Sequence, residues 1–228
     1  MEAPNTIRNI QAVIFDMDGL MLDTERMGLE IFKQTVSEFA FEVTTELYLQ
    51  TVGRNWLDTQ KILCDALGEE FPFEQVRRRY RERMRQEIDR TGISCKPGLH
   101  RALNRIRSLR LPSAVATSTS RESALALLKT AEIVDYFSVI VAGDEIRNGK
   151  PHPEIFLMAA ERLGIAPQHC LVFEDSAAGI QAAHAAGMIP VWIPDLAAPD
   201  AATAQLACHV LRSLDEAHFL FDGCESEH

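Results

Sequence analysis

The chain has no apolar run of membrane-spanning length, which leaves no candidate for a transmembrane helix. It has only five cysteines (Cys64, Cys95, Cys170, Cys208 and Cys224), widely spread and never in a Cys-x-x-Cys pair. An odd, scattered set argues against a disulfide framework or a thiolate zinc site, so all five are expected as free thiols. The seven histidines form no metal-type spacing with one another. Basic residues are outnumbered: 23 Lys and Arg face 33 Asp and Glu, for a formal charge of −10. That balance speaks against general affinity for nucleic acid or an anionic membrane, and crowded carboxylates invite a divalent cation. The opening Met1-Glu2-Ala3-Pro4-Asn5 has neither a basic region nor an apolar stretch, so no export is expected and the cytoplasm is the default. Internal repeats and low-complexity tracts are also lacking.

What is there is a 228-residue chain with 46% hydrophobic residues, enough for a sizeable core. The segment Val13-Ile14-Phe15-Asp16-Met17-Asp18-Gly19-Leu20-Met21-Leu22-Asp23 ends an apolar strand in acidic residues and a glycine. Ligands of open α/β sheets bind just beyond the carboxyl ends of strands, where Asp16 falls. A helix-capping turn explains one Asp, but hardly two flanking a single residue. A calcium loop starting at Asp16 fails too, because its fifth, sixth and twelfth positions are Leu20, Met21 and Met27.

From about Thr24 to Gly92 the pattern is helical. Leu29, Phe32, Val36 and Phe39 form one stripe, Leu57, Ile62, Leu63, Ala66 and Leu67 a second ending at Gly68, and Val76, Tyr80, Met84 and Ile88 a third. After Lys96-Pro97-Gly98, short apolar runs alternate with helices: 113–117, 137–142, 170–173 and 189–193. This βαβ grammar predicts a doubly wound, Rossmann-like α/β parallel sheet interrupted by an all-helical insertion. Thr119-Ser120-Arg121-Glu122 reads as a capping box, Pro153 as a first-turn proline, and Gly164 and Gly187 as helix stops. The basic segment Arg77 to Arg85 could suggest RNA, but Glu74–Arg78, Arg78–Glu82, Arg83–Glu87 and Arg85–Asp89 are spaced to pair along a solvated helix.

Parallel strands collect their carboxyl ends on one edge, and four ends here carry unusual polar groups. Asp16 and Asp18 are the first. Thr117 is the second, where a hydroxyl and neighbouring amides suit an oxyanion, although such turns also simply cap helices. Lys150, in Asn148-Gly149-Lys150-Pro151-His152-Pro153-Glu154, is the third, with a solvated lysine as the alternative. Glu174-Asp175 is the fourth, and adjacent carboxylates there suggest Mg²⁺. Together the groups suit phosphoryl transfer: a carboxylate nucleophile, a hard cation, and a lysine plus hydroxyl to hold phosphate oxygens. Asp18 is placed to protonate the leaving oxygen and later to deprotonate water.

In order and spacing, Asp16-Met17-Asp18-Gly19-Leu20-Met21-Leu22-Asp23, Ala116-Thr117-Ser118, Gly149-Lys150-Pro151-His152-Pro153 and Phe173-Glu174-Asp175-Ser176-Ala177-Ala178-Gly179-Ile180 resemble the four motifs of the haloacid dehalogenase superfamily. The similarity is to the branch holding beta-phosphoglucomutase and small sugar-phosphate phosphatases, and it spans nearly the whole chain. The resemblance implies that Asp16 is nucleophile and metal ligand, that Asp18 is the acid/base and a ligand through its carbonyl, and that Thr117, Ser118 and Lys150 bind phosphate. It implies Asp175 as a metal ligand and Glu174 as one through water or by supporting the others. It also implies a core domain of residues 1–23 and 94–228 and a mobile helical cap of residues 24–93.

Asp18 argues against dehalogenation, which needs no leaving-group acid, and leaves phosphate-ester chemistry. The resembling mutases carry a histidine five residues after the last Asp of the first motif; here that place is Gly28. The expectation is therefore a Mg²⁺-dependent phosphatase for a small sugar or polyol phosphate, with a beta-phosphoglucomutase-like isomerase as the alternative and a noncatalytic phospholigand-binding module as the third. Glu25, Arg54 and Asn55, with Lys61, are the cap candidates for specificity; a polar interhelical turn explains Gly53-Arg54-Asn55 equally well. His152 is expected to cap the helix after it, and the protein is expected to act as a monomer without nucleic-acid or membrane partners.

Overall fold

The computed structural model describes residues 9–221. Six parallel strands form one sheet in the order β3-β2-β1-β4-β5-β6, with β1 at Ala12–Phe15, β2 at Ser113–Ala116, β3 at Val139–Val141, β4 at Cys170–Glu174, β5 at Ile189–Trp192 and β6 at His209–Val210. The chain builds outward from β1 through β2 and β3, then restarts on the other side at β4. The reversal point, between β1 and β4, is where an open α/β sheet leaves a crevice. Phe15 lies in register with Phe173, so Asp16 and Glu174 leave the sheet side by side.

The strands read as unbroken apolar runs because both faces are covered. Val13, Phe15, Val115, Leu171, Phe173 and Val191 pack on one side with α5 (Leu99–Ser108), α6 (Arg121–Thr130) and the C-terminal 3₁₀ segment Leu214–Phe221. Ala12, Ile14, Ala114, Ala116 and Val172 pack on the other with α7 (Glu154–Leu163) and α8 (Ala177–Ala185). A third cluster, with Phe32, Val36, Tyr48, Leu63, Phe73 and Val76, joins the four inserted helices α1 (Thr24–Ser37), α2 (Thr45–Leu49), α3 (Trp56–Leu67) and α4 (Phe73–Thr91). Each such side chain contributes roughly 1.5–3 kcal/mol by burial, so the helical unit holds its own core. Its two linkers run side by side: the Asp23 amide donates to Ser94 O at 2.9 Å and the Lys96 amide to Met21 O at 2.8 Å.

Several local expectations need correction. Thr117 lies past the end of β2; β3 is shorter than 137–142, and the two-residue β6 has no counterpart in the sequence reading. Leu57 is 73% exposed, since Thr59 and Leu63 set the inward face of α3 and Leu57 lies about 200° around from Thr59. Ala66 is exposed as well. No capping box forms at Thr119-Ser120-Arg121-Glu122: the Ser120 hydroxyl meets Ser123 at 3.1 Å, and the Arg121 amide donates to Asp144 instead. Pro153 is the residue before α7 rather than its first. The arginines of α4 pair at three-residue spacing, Arg77 with Glu74, Arg79 with Glu82 and Arg90 with Glu87. The expected four-residue pairs do not form: Glu74, Glu82 and Glu87 take the three-residue partners instead, and Glu38 beyond α1 draws Arg79 and Arg83 across the helix pair.

Gly164 and Gly187 have positive φ at the ends of α7 and α8, as stops require. His152 does cap α7, its Nδ1 accepting from the Glu154 amide at 3.3 Å. Cys64, Cys95, Cys170 and Cys208 are free; Cys224 and the Met1-Glu2-Ala3-Pro4-Asn5 segment lie outside the described residues. No helix among the described residues is long and apolar enough to cross a membrane.

Candidate active site

Asp16 follows β1 directly and is 4% exposed. Its Oδ1 accepts from Lys150 Nζ at 2.5 Å. Lys150 is fully buried and spends its other donors on Glu174 Oε1 at 2.6 Å and Ala116 O at 3.2 Å. It does not stand at a strand tip: β3 ends at Val141, and Lys150 reaches in from the loop before α7. That loop is tied down by Glu154, whose carboxylate accepts from the Arg147 amide at 2.8 Å and the Asn148 amide at 3.0 Å.

Glu174, the last residue of β4, has no exposed surface. Its Oε2 accepts from the Ser176 amide at 2.8 Å and the Ser176 hydroxyl at 2.9 Å, and that hydroxyl in turn accepts from the Gly179 amide to cap α8. Both oxygens of Glu174 are therefore engaged in holding Lys150 and the start of α8. Gly179 leaves room for this carboxylate, since a Cβ there would overlap it. Asp175 is 4% exposed and, among the described residues, no side chain donates a hydrogen bond to its carboxylate; its carbonyl accepts from Trp192 Nε1 at 2.8 Å.

Carboxylate oxygens of Asp16, Glu174 and Asp175 all lie within 4.8 Å of one another. Burial pushes the Asp16 carboxyl up to about 8, outweighing the opposing pull of Lys150, with Glu174 and Asp18 adding repulsion. Burial likewise raises Asp175 well above the carboxylate range, helped by Glu174 and Asp16. Lys150 is held charged: burial alone would lower it, but Asp16 and Glu174 together outweigh that. Three buried carboxylates against one lysine form an all-oxygen, negatively charged donor set, which fits a hard divalent cation such as Mg²⁺.

Asp18 is turned by three hydroxyls. Its Oδ1 accepts from Thr24 at 2.9 Å, and its Oδ2 from Thr119 at 2.8 Å and Thr117 at 3.2 Å. The Thr117 hydroxyl, expected to face phosphate, here serves Asp18, and the Ser118 hydroxyl donates to Gly53 O at 2.9 Å, linking the β2 loop to the inserted helices. Thr24 and Thr119 escaped sequence reasoning as site residues. The signal for Thr119 was the unbroken hydroxyl run from Thr117 to Ser120, read only as a cap.

The cap candidates separate. Glu25 comes to the acidic cluster: a Cβ at Gly19 would stand 3.0 Å from Glu25 Cγ and also against the Asp175 carboxylate. Burial, with Asp18 next, pushes the Glu25 carboxyl up to about 8. Asn55 caps α3, accepting from the Asp58 amide at 2.9 Å, and lies against Gly149 beside the Lys150 loop. Arg54 lines an open hollow of about 350 Å³ with Gln50, Asp58, Lys61 and Ile62. Lys61 pairs with Asp65 at 2.6 Å and is 76% exposed, so it does not join the site. Asp195, beyond β5, also went unread: it is 4% exposed at its side chain and holds Lys96 at 2.7 Å and Arg26 at 3.5 Å.

Residues 13–193 match the family described as haloacid dehalogenase-like hydrolase. The chain belongs to that family. Among its relatives in this family is the phosphorylated carbohydrates phosphatase of Thermotoga maritima, 36% identical over 179 residues, covering 78% of this chain and 82% of that protein. The (DL)-glycerol-3-phosphatase 1 of Arabidopsis thaliana is 32% identical over 219 residues, covering 90% of this chain and 71% of that one. The crystal structure of a beta-phosphoglucomutase from Clostridium difficile superposes with a TM-score of 0.78 over 91% of this chain and 92% of that chain, at 24% identity, and so shares the fold. The six-stranded parallel sheet with its inserted helices is thus an architecture that this chain shares with that structure.

Proposed function

We propose that this haloacid dehalogenase-like hydrolase is a Mg²⁺-dependent phosphatase for a small sugar or polyol phosphate, working through an aspartyl-phosphate on Asp16. The observation that carries the reading is Asp16 at the sheet's crevice, 2.5 Å from a buried Lys150 and grouped with Glu174 and Asp175. The phosphatase relatives supply the reaction class.

In the first half-reaction a carboxylate oxygen of Asp16 attacks phosphorus, and the bond from phosphorus to the ester oxygen breaks. Asp18, steadied by Thr24, Thr117 and Thr119, delivers a proton to the departing alkoxide. In the second, Asp18 takes a proton from water as that water attacks phosphorus, releasing inorganic phosphate and restoring Asp16. Lys150 turns a donor from Asp16 or Ala116 O onto the nonreacting phosphate oxygens when substrate binds, joined there by the Thr117-Ser118 turn as its hydroxyls exchange Asp18 and Gly53 O for phosphate, and Glu174 keeps Lys150 in place. Asp16, Asp175 and the Asp18 carbonyl would hold Mg²⁺, with Glu174 supporting them; when bound, it offsets the charge of the phosphate dianion facing an anionic nucleophile.

Residues 24–93 act in this reading as a cap over a core of 1–23 and 94–228, closing on the substrate to exclude bulk water. Hydrolysis is favoured over isomerisation because the place of the mutase histidine is Gly28. A Cβ there would meet the Tyr48 and Tyr80 hydroxyls at 2.7 Å, so the cap has filled that space with other groups. The enzyme is taken to act as a cytoplasmic monomer. The test is phosphate release from sugar, polyol and nucleoside phosphates with Mg²⁺ and with chelator, beside Asp16→Asn. Release that requires both Mg²⁺ and Asp16 is expected. Glucose 1-phosphate converted to glucose 6-phosphate without free phosphate would overturn hydrolysis in favour of a mutase.

A further inference from the structure

Glu25, one turn before Gly28 on α1, carries a carboxylate that no lysine or arginine among the described residues pairs with. Its hydrogen bond is to the Tyr48 hydroxyl, which donates to Oε2 at 3.1 Å. The Tyr80 hydroxyl converges with that of Tyr48 over Gly28, a Cβ there standing 2.7 Å from each, giving a relay of contacts from α4 through α2 to α1. Gly28 makes the relay compact, because any side chain there would collide with both phenols. One turn further on, Phe32 packs against Tyr48 at 5.7 Å and Tyr80 at 5.4 Å, fixing both rings from behind. The relay is therefore anchored in the cap core at one end and ends in Glu25 at the other.

That end lies at the reaction centre. Glu25 Cγ is the neighbour of Gly19 that Asp175 shares, and the carboxylates of Asp18 and Asp16 both act on Glu25 electrostatically. Glu25 is half-buried, and its Oε1 receives no hydrogen bond from a described side chain, whereas Oε2 is tied. A half-buried acceptor next to the acidic cluster, oriented by a hydroxyl through one oxygen and with the other free of side-chain donors among the described residues, suits an O–H donor on the substrate.

Building on the phosphatase reading above, we propose that Glu25, positioned by Tyr48 and Tyr80, recognises a free hydroxyl on the leaving group, and so selects phosphomonoesters of polyhydroxylated alcohols over deoxy analogues. Glu25 is the specificity residue, and the two tyrosines are positioning residues that hold its rotamer. A site built to accept a hydroxyl discriminates strongly against a ligand lacking it, because its own polar group is then left unpaired.

The experiment compares kcat/KM for glycerol 3-phosphate and propyl phosphate, with p-nitrophenyl phosphate as a generic substrate, for wild type, Glu25→Leu, Glu25→Gln and Tyr48→Phe. Wild type should prefer the glycerol ester by about tenfold or more, and Glu25→Leu should bring the two esters within about twofold. Glu25→Gln keeps an acceptor and should retain most of the preference. Tyr48→Phe should lower the preference by about threefold to tenfold while melting close to wild type. An equal loss on both esters in Glu25→Leu and Tyr48→Phe would reduce the cluster to cap packing and overturn the proposal. Wild-type turnover of p-nitrophenyl phosphate without preference for the hydroxylated ester would also overturn it, leaving the phosphatase reading intact. No Mg²⁺-dependent release from any ester would overturn that reading and this proposal with it.

Discussion

Replacing Gly179 with alanine should reverse the usual sign of a helix substitution. Gly179 lies in the first turn of α8, where alanine would ordinarily stabilise by about 1 kcal/mol through backbone entropy and propensity. Here the added Cβ would occupy the space of the Glu174 carboxylate. That carboxylate accepts from Lys150 at 2.6 Å, the Ser176 amide at 2.8 Å and the Ser176 hydroxyl at 2.9 Å. Hydrogen bonds to a charged group are worth roughly 1.5–3 kcal/mol each. Displacing Glu174 far enough to lose two of them, against the propensity gain, leaves a net destabilisation of about 2–5 kcal/mol. For a chain of this size each kcal/mol moves the melting temperature by about 2–4 °C, so Tm should fall by about 4–20 °C. Phosphate release should fall further, because Lys150 loses Glu174, the carboxylate that holds it against Asp16. Thermal unfolding followed by circular dichroism, beside a phosphate-release assay, checks both effects. An alanine variant that melts at or above wild type and keeps its activity would refute the argument that Glu174 needs a glycine opposite it.

Two further outcomes follow from the same geometry. In chelator, stability should fall as pH rises from about 4 to about 8. Asp16 is pushed up to about 8 in the folded chain, so between the unfolded carboxylate range and that value the folded state retains a proton that the unfolded state has lost. Urea unfolding at pH 5 and pH 8 reads the slope, which Mg²⁺ should flatten by favouring the ionised carboxylate; stability that rises over this window in chelator would contradict the assignment. Thr119→Val removes the 2.8 Å donor to Asp18 while keeping the side chain's shape, and should lower kcat by about threefold to tenfold with KM little changed. A raised KM at unchanged kcat would make Thr119 a substrate-binding group instead.

The sequence carried the sheet and its acidic edge with little loss. Apolar runs such as Val13-Ile14-Phe15 and Leu171-Val172-Phe173 are continuous because both faces of a parallel strand are covered, which makes them visible without neighbours. Their ends are equally visible, because a buried carboxylate after such a run has few structural uses. The helical insertion was legible through its stripes. Leu57 was misread because a local period does not say which face a short helix turns inward once Thr59 and Leu63 compete for it. On α4 the spacing alone did not show which partner each carboxylate takes: Glu74, Glu82 and Glu87 pair at three residues, and Glu38, distant in sequence, takes Arg83 and also Arg79 across the helix pair.

The residue chemistry of the crevice was thus determined by sequence alone: which carboxylates, which lysine and which hydroxyls the chain can bring there, and hence the class of reaction. Their mutual commitments were decided by the tertiary structure. Only the fold bonds Glu174 to Lys150 and Ser176 while leaving Asp175 open, and turns Thr117 and Thr119 toward Asp18. Only the packing of α1, α2 and α4 brings Tyr48 and Tyr80 over Gly28 and so ties Glu25. The physical reason is range. Strand periodicity and the residue at a strand's end are local properties written along the chain, whereas a hydrogen-bond partner tens of residues away depends on how separately folded elements meet.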